Sequence, residues 1–358
     1  MKAKIWLVIA AVSLTGFVPT GSLGAASYLY HDLNPQGATA TYQFTAINDA
    51  KQIVGNINRI INQQFAPQAF LWTSDKGYTL LKPLGTNTNS QAFSINKQGQ
   101  IVGSSVNANG HEHACLWTDP AQLPTELVSA DDPTPSGATG INDAGLIVGY
   151  CGDFEYKRAY KWTALLQKTD LGTLGGSTSC AWAVNNAGKI VGEAADGQNI
   201  TRACFWDSGS LSPQSLGLNV DAPLSSVNCI NNQGNMAGYY SPLGSGDDDQ
   251  AFYWDQQRKD ITPELYYNCA CGISDANQVV GLRAEQNSPD STFLFWNPSK
   301  GTQDLNKLVV NLPVGVTISN LFAISPQKGY LAGMDSNWHP CLLTPVAVSL
   351  VNILLMLQ

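Results

Sequence analysis

A chain of 358 residues with 19 Lys and Arg against 27 Asp and Glu is acidic, which disfavours nucleic acid as a partner, since that binding rests on neutralising phosphates with basic side chains. Only 13% of the residues are charged, about half of the ~25% usual in soluble domains. Gly, Asn, Ser and Thr are abundant instead, with 33 glycines alone, and such a composition suits short strands joined by many turns.

In chain order, Lys2 and Lys4 precede an apolar run from Ile5 to Val18, and small residues follow at Gly24, Ala25 and Ala26. That pattern predicts a secretory signal peptide over 1–26, cleaved after Ala26. Thr15, Pro19 and Thr20 leave the run short of the ~20 apolar residues that span a bilayer. Losing Lys2 and Lys4 takes the basic count from 19 to 17 against 27 acids, about ten net negative charges. The expected location is secreted, extracellular or periplasmic, with residues 27–358 forming one domain that has no transmembrane span.

From residue 47 onwards nearly the same words return: INDAKQIVG, INKQGQIVG, INDAGLIVG, VNNAGKIVG, INNQGNMAG, ISDANQVVG and, one residue longer, ISPQKGYLAG. Their closing glycines stand at 55, 103, 149, 192, 238, 281 and 333, and self-similarity at this period calls for a solenoid or a propeller. In INDAG, Asn142 suits the first position of a type I turn and Gly145 the left-handed position after it, which makes a tight hairpin. Asn277 tolerates that left-handed slot in the sixth copy, whereas Lys51 in the first fits it poorly.

A second signature follows each glycine: QAFLW, HACLW, RAYKW, RACFW, QAFYW and TFLFW end at Trp72, Trp117, Trp162, Trp206, Trp254 and Trp296, and HPCLL ends at Leu343. Short aromatic and β-branched runs of this kind read as strands. A Trp that recurs once per copy is packing between neighbouring sheets rather than a sugar platform. Fourth segments come next, at 78–84, 125–130, 167–174, 213–218, 259–265 and 302–309. The predicted fold is therefore all-β: a seven-bladed β-propeller of four-stranded antiparallel blades.

The seventh copy lacks a fourth segment, but SYLYHDLNP at 27–35 resembles one. Pairing this N-terminal strand into the last blade would close the ring and remove exposed edges. The small residues of AxxIN and IVG favour that exchange, because they suit crowded inner strands. The alternative is that the N-terminal segment begins its own blade and every unit is already complete.

The turn of INDxGxIVG type followed by HAFLW resembles the bacterial extracellular HAF-repeat family over most of the chain. The resemblance implies an exported repeat protein of propeller type; it implies no enzymatic activity and supplies no catalytic residues. The His of HAF survives as His113 and His339, with Gln68, Arg158, Arg202 and Gln250 in that slot elsewhere. Some such proteins end in a Pro-Glu-Pro sorting tail. VAVSLVNILLMLQ has no such motif, is too short to span a bilayer, and is expected to pack as strand.

In an antiparallel four-stranded blade the near-uniform hairpin turns lie on one face, and the loops of variable length and content share the other. Variable loops on a rigid scaffold are where binding lives. The candidates there are His111, Glu112 and His113, which could hold a transition metal; Asp131 and Asp132; Tyr156 and Arg158; Arg202; and Tyr267. Asp247, Asp248 and Asp249 could bind calcium, but lack the spaced D-x-D-x-D-G pattern, and no other cofactor is indicated. The eight cysteines permit disulfides in an exported chain without fixing their pairing, and the CxC at Cys269 and Cys271 is a poor match to zinc spacing. No GxSxG, HExxH, P-loop or Rossmann glycine pattern occurs.

The function these residues indicate is a secreted, non-enzymatic binding or interaction module, monomeric, taking a glycan or a protein surface on the variable-loop face. A carbohydrate-active hydrolase or lyase on the same scaffold, and a structural component of the envelope or matrix, stay open beside it.

Overall fold

Each INDxGxIVG stretch folds as the expected hairpin. In the third copy the Asn142 side-chain oxygen accepts from the N–H groups of Ala144 and Leu146, at 3.0 and 2.9 Å, while the Gly145 N–H closes the turn on the Asn142 carbonyl. The left-handed slot is occupied in all seven copies, by Lys51, Gly99, Gly145, Gly188, Gly234, Asn277 and Gly329. Lys51 takes it at φ 60° despite its Cβ, held by the turn hydrogen bonds on either side and with its ammonium over the Tyr330 ring.

The computed structural model describes residues 27–34, 41–61, 64–86, 89–153, 155–164, 167–218, 224–242, 249–262, 268–283 and 292–346. They form seven four-stranded antiparallel sheets, so the chain is a seven-bladed β-propeller. The first blade runs Thr41–Ile47, Ile53–Ile61, Gln64–Thr73 and Gly77–Leu80 from the inside outwards. Five more repeat that order, with inner strands Ser90–Ile95, Ser136–Ile141, Gly175–Val184, Leu224–Ile230 and Asn268–Ile273. The seventh takes Ile318–Ile324, Leu331–Asp335 and Pro340–Val346 from one end of the chain and Ser27–Asp32 from the other. Ser27 pairs with Val346 and Asp32 with Cys341, so the ring is closed by the exchanged N-terminal strand and not by seven complete units.

The glycine that ends each copy has a steric cause. A Cβ on Gly55, Gly103, Gly149, Gly192, Gly238, Gly281 or Gly333 would overlap the main-chain oxygen of Gln43, Gln91, Gly137, Cys180, Ser226, Cys269 or Asn320 on the adjoining inner strand. Two residues further along, every inner strand carries a register shift. These bulges leave Thr45, Phe93, Thr139, Trp182, Asn228, Cys271 and Phe322 out of the ladder, each partly exposed directly after a buried residue. A bulge re-aims a side chain in this way.

Seven apolar clusters, one per pair of adjacent blades, form the core. Trp117 is 1% exposed and packs between Val54, Leu71 and Leu81 of the first blade and Ile95 and Ile101 of its own; its indole N–H donates back to the Lys82 carbonyl at 2.8 Å. Trp206 repeats the arrangement on Leu171, and Leu343 is fully buried in the same slot. Burying one such side chain contributes on the order of 3 kcal/mol. The recurring Trp is thus inter-blade packing, as its regularity suggested.

One expectation needs adjusting. Outer strands are shorter than the predicted segments, two residues at Thr125–Glu126, Gln214–Ser215 and Gly301–Thr302, because the chain leaves the edge early to reach the next inner strand; Leu305–Lys307 turns into a 3-10 helix that buries Leu305. All eight cysteines are free thiols, spread over six of the seven blades, most of them inside the inter-blade clusters. The predicted leader 1–26, and the tail beyond Val346, lie outside the described residues.

Candidate functional site

Where the bulged residues of blades two to five come together, a cavity of about 650 Å³ opens. Phe93, Thr139, Trp182 and Asn228 line it from the inner strands, with Tyr150, Glu193 and Tyr239 from the second strands and Pro135, Gly152, Asp153 and Lys157 from loops. Those loops lie opposite the INDxG turns, so the cavity is on the variable-loop face, at the mouth of the channel.

The local sequence explains how it is held open. The loop after Cys151 is pinned by the Gly152 N–H on the Pro135 carbonyl and by the Ser179 N–H on the Lys157 carbonyl, which brings Lys157 over the fourth blade. There its ammonium meets Glu193 at 3.4 Å and stands 5.2 Å from the centre of the Trp182 ring. Tyr150 lies across Gly137, where a Cβ would run into its ring atoms at 2.8–2.9 Å. Burial pushes the Tyr150 phenol up to about 12, so it stays a hydrogen-bond donor throughout the neutral range. Asn228 is fixed by donating to the Ala270 carbonyl at 3.0 Å and to Cys269 Sγ at 3.1 Å. Four aromatic rings, a hydroxyl, an amide and one ion pair thus face one space.

The sequence-predicted candidates occupy other places. His113 is fully buried, with Nδ1 2.6 Å from Glu126 and Nε2 2.7 Å from the Asp132 carbonyl, and ties the third strand of its blade to the outer strand and the following loop. Glu112 accepts from Ser104 at 2.7 Å, the His111 and His113 rings are 5.8 Å apart, and Asp131 accepts from Asn109. Arg158 pairs with Asp170 at 3.1 Å and Arg202 with Asp196 at 3.0 Å, each within its own blade. Tyr156 is 68% exposed at a loop tip. Asp132 meets Lys168 at 3.4 Å; the turn bonds from Thr134, more than that lysine, hold its carboxyl below the usual carboxylate range. Asp249 accepts from Ser241 at 2.6 Å, whereas Asp247, Asp248 and Tyr267 lie outside the described residues. The structure therefore gathers His111, Glu112, His113, Asp131 and Asp132 at one blade edge and leaves the others apart. The loops bearing Asp132 and Tyr156 reach the cavity, through Pro135 and through Asp153 and Lys157.

Phe93, Thr139, Tyr150, Trp182, Glu193, Asn228 and Tyr239 were not singled out from the sequence. Their signal is the variable residue directly after the small one in AxxIN, and the residue directly after IVG. Variation at fixed slots in an otherwise uniform repeat marks positions released from the frame.

No protein-family model matches the chain, and no curated protein matches it. Among solved structures it is similar to the acylaminoacyl peptidase of Pyrococcus horikoshii, with TM-score 0.53 and 10% identity over 85% of this chain and 50% of the peptidase. It is likewise similar to the β-propeller domain of the Trilobed protease from Pyrococcus furiosus, with TM-score 0.52 and 8% identity over 85% of this chain and 95% of that one. The chain spans half the length of the peptidase. At these identities the likeness is one of fold. No helix among the described residues is long and apolar enough to cross a membrane.

Proposed function

We propose that this propeller is an exported, non-enzymatic binding module that takes a carbohydrate in the cavity at the channel mouth. One observation carries the reading: Phe93, Tyr150, Trp182 and Tyr239 share about 650 Å³ with Thr139, Ser226, Asn228 and the Lys157–Glu193 pair. A sugar ring presents an apolar C–H face together with hydroxyls that donate and accept, and an aromatic-rich site with a few placed polar groups matches both. The size falls inside the ~300–1,000 Å³ of ordinary small-ligand sites. The leader-like residues 1–26 and the resemblance to HAF repeats support export.

Titration calorimetry against neutral cello-, xylo-, manno- and chito-oligosaccharides tests it. Wild-type protein is expected to bind at least one series, and Trp182→Ala to weaken that binding at least tenfold with its unfolding midpoint unchanged, because Trp182 belongs to none of the inter-blade cores. Silence across the series, or equal binding by the variant, sinks the proposal. Turnover of the same sugars, abolished by Glu193→Gln, would assign the cavity to a hydrolase or lyase instead.

A further inference from the structure

Six cysteines are buried, whereas Cys269 and Cys271 are half-buried on the inner strand of the sixth blade. Cys271 is that strand's bulged residue. Residues i and i+2 of a regular strand are ~6.6–6.8 Å apart at Cα, at the far end of the ~4.4–6.8 Å that a disulfide spans. A bulge bends the strand locally and brings the two side chains together. The fifth blade shows the effect in the same two slots, where Ser226 Oγ lies 3.2 Å from Asn228 Oδ1. In the sixth blade the Cys271 thiol donates to the Cys269 carbonyl at 3.7 Å and the Cys269 thiol to the Ala270 carbonyl at 3.6 Å, so both sulfurs lie along one short stretch of strand. Asn228 reaches across from the cavity wall to Cys269 Sγ at 3.1 Å.

We propose that Cys269 and Cys271 form a redox-active dithiol, closing to an intrastrand disulfide when a small-molecule disulfide is present. The Cys271 thiolate attacks one sulfur of the oxidant, giving a mixed disulfide and expelling one thiolate. Cys269, once deprotonated, then attacks the Cys271 sulfur and expels the second. Two protons and two electrons leave the pair, and the oxidant is reduced to two thiols. The neighbouring Cys271 side chain, and then burial, hold the Cys269 proton more firmly than usual, which makes Cys269 the resolving partner. Since Asn228 lines the cavity, closure acts on its wall; the chemistry itself does not depend on what the cavity binds.

The test is incubation of the folded protein with oxidised glutathione at neutral pH, native alkylation and peptide mass mapping. Loss of two hydrogens confined to the peptide holding Cys269 and Cys271, and reversed by dithiothreitol, is expected. Cys269→Ser is expected to stop at one glutathione on Cys271. Two alkylated thiols on that peptide after oxidation, a disulfide to any other cysteine, or no glutathione on Cys271 in the Cys269→Ser variant overturns the proposal.

Discussion

Asn142 donates its side-chain N–H to the main-chain oxygen of Asn185, 3.0 Å away in the next blade. The same bond runs from Asn48 to Asn96, Asn96 to Asn142, Asn185 to Asn231 and Asn231 to Ser274. Each of these asparagines shapes its own turn with the oxygen and fastens the neighbouring blade with the nitrogen. Asn142 is 5% exposed, and leaving its partners unpaired costs about 1–3 kcal/mol. Asn142→Ala is expected to lower stability by that amount in urea titrations, with Asn142→Ser milder, since Ser274 fills the slot naturally. An unchanged midpoint for Asn142→Ala would falsify the latch.

Gly145 and Gly149 differ in what they exclude. Gly145 has φ 83° and open space around its Cα, while a Cβ on Gly149 would enter the Gly137 carbonyl. Gly145→Ala is expected to cost about 1–2 kcal/mol through its backbone conformation. Gly149→Ala should cost upwards of about 3 kcal/mol, since two main chains must part. Thermal unfolding of both variants decides the order, and equal midpoints would contradict the steric account.

Closure of the ring rests on Ser27–Asp32. Tyr28 is 1% exposed, and the Tyr30 hydroxyl donates to Asp335 at 2.9 Å. Deleting residues 27–32 is expected to remove at least about 3 kcal/mol and to leave Pro340–Val346 as an open edge that recruits other copies. Size-exclusion chromatography should show oligomers that a synthetic peptide of residues 27–34 returns to monomer. A stable monomer after deletion speaks against exchange as the closing device.

Stability should fall on the alkaline side. Burial pushes Tyr28 and Tyr150 up to about 12 and Cys151 up to about 11. Between the ordinary and the raised values the native state holds protons that the unfolded chain has released, so unfolding grows easier as pH rises. The thermal midpoint is expected to decline from about pH 9, where exposed thiols begin to ionise, and to keep falling towards 12. A midpoint constant up to pH 11 would show that these groups are not buried.

Blade number, strand order and ring closure were legible because the frame repeats its chemistry. Asn at the turn, glycine against a carbonyl and Trp between sheets recur for local reasons that a sequence displays. Even the small second residue of HAF has one: Ala69, Ala114, Ala159 and Ala203 are buried in the inter-blade clusters, where their N–H groups each donate to a serine of the next inner strand. The cavity was not legible, because its residues are those that do not repeat. His113 and Arg202 stood out by type, yet the folded chain occupies them with Glu126 and Asp196. Trp182 sits inside a strand pattern and turns towards the channel only because the bulge places it there.

Thr45, Phe93, Thr139, Trp182, Asn228, Cys271 and Phe322 each occupy the same inner-strand slot, which the register of its sheet skips. Seven sites of that kind make the channel lining combinatorial. Side chains as unlike as threonine, cysteine and tryptophan already coexist in one slot of the repeat, so the chemistry of the lining can change by point substitution while the scaffold is inherited intact.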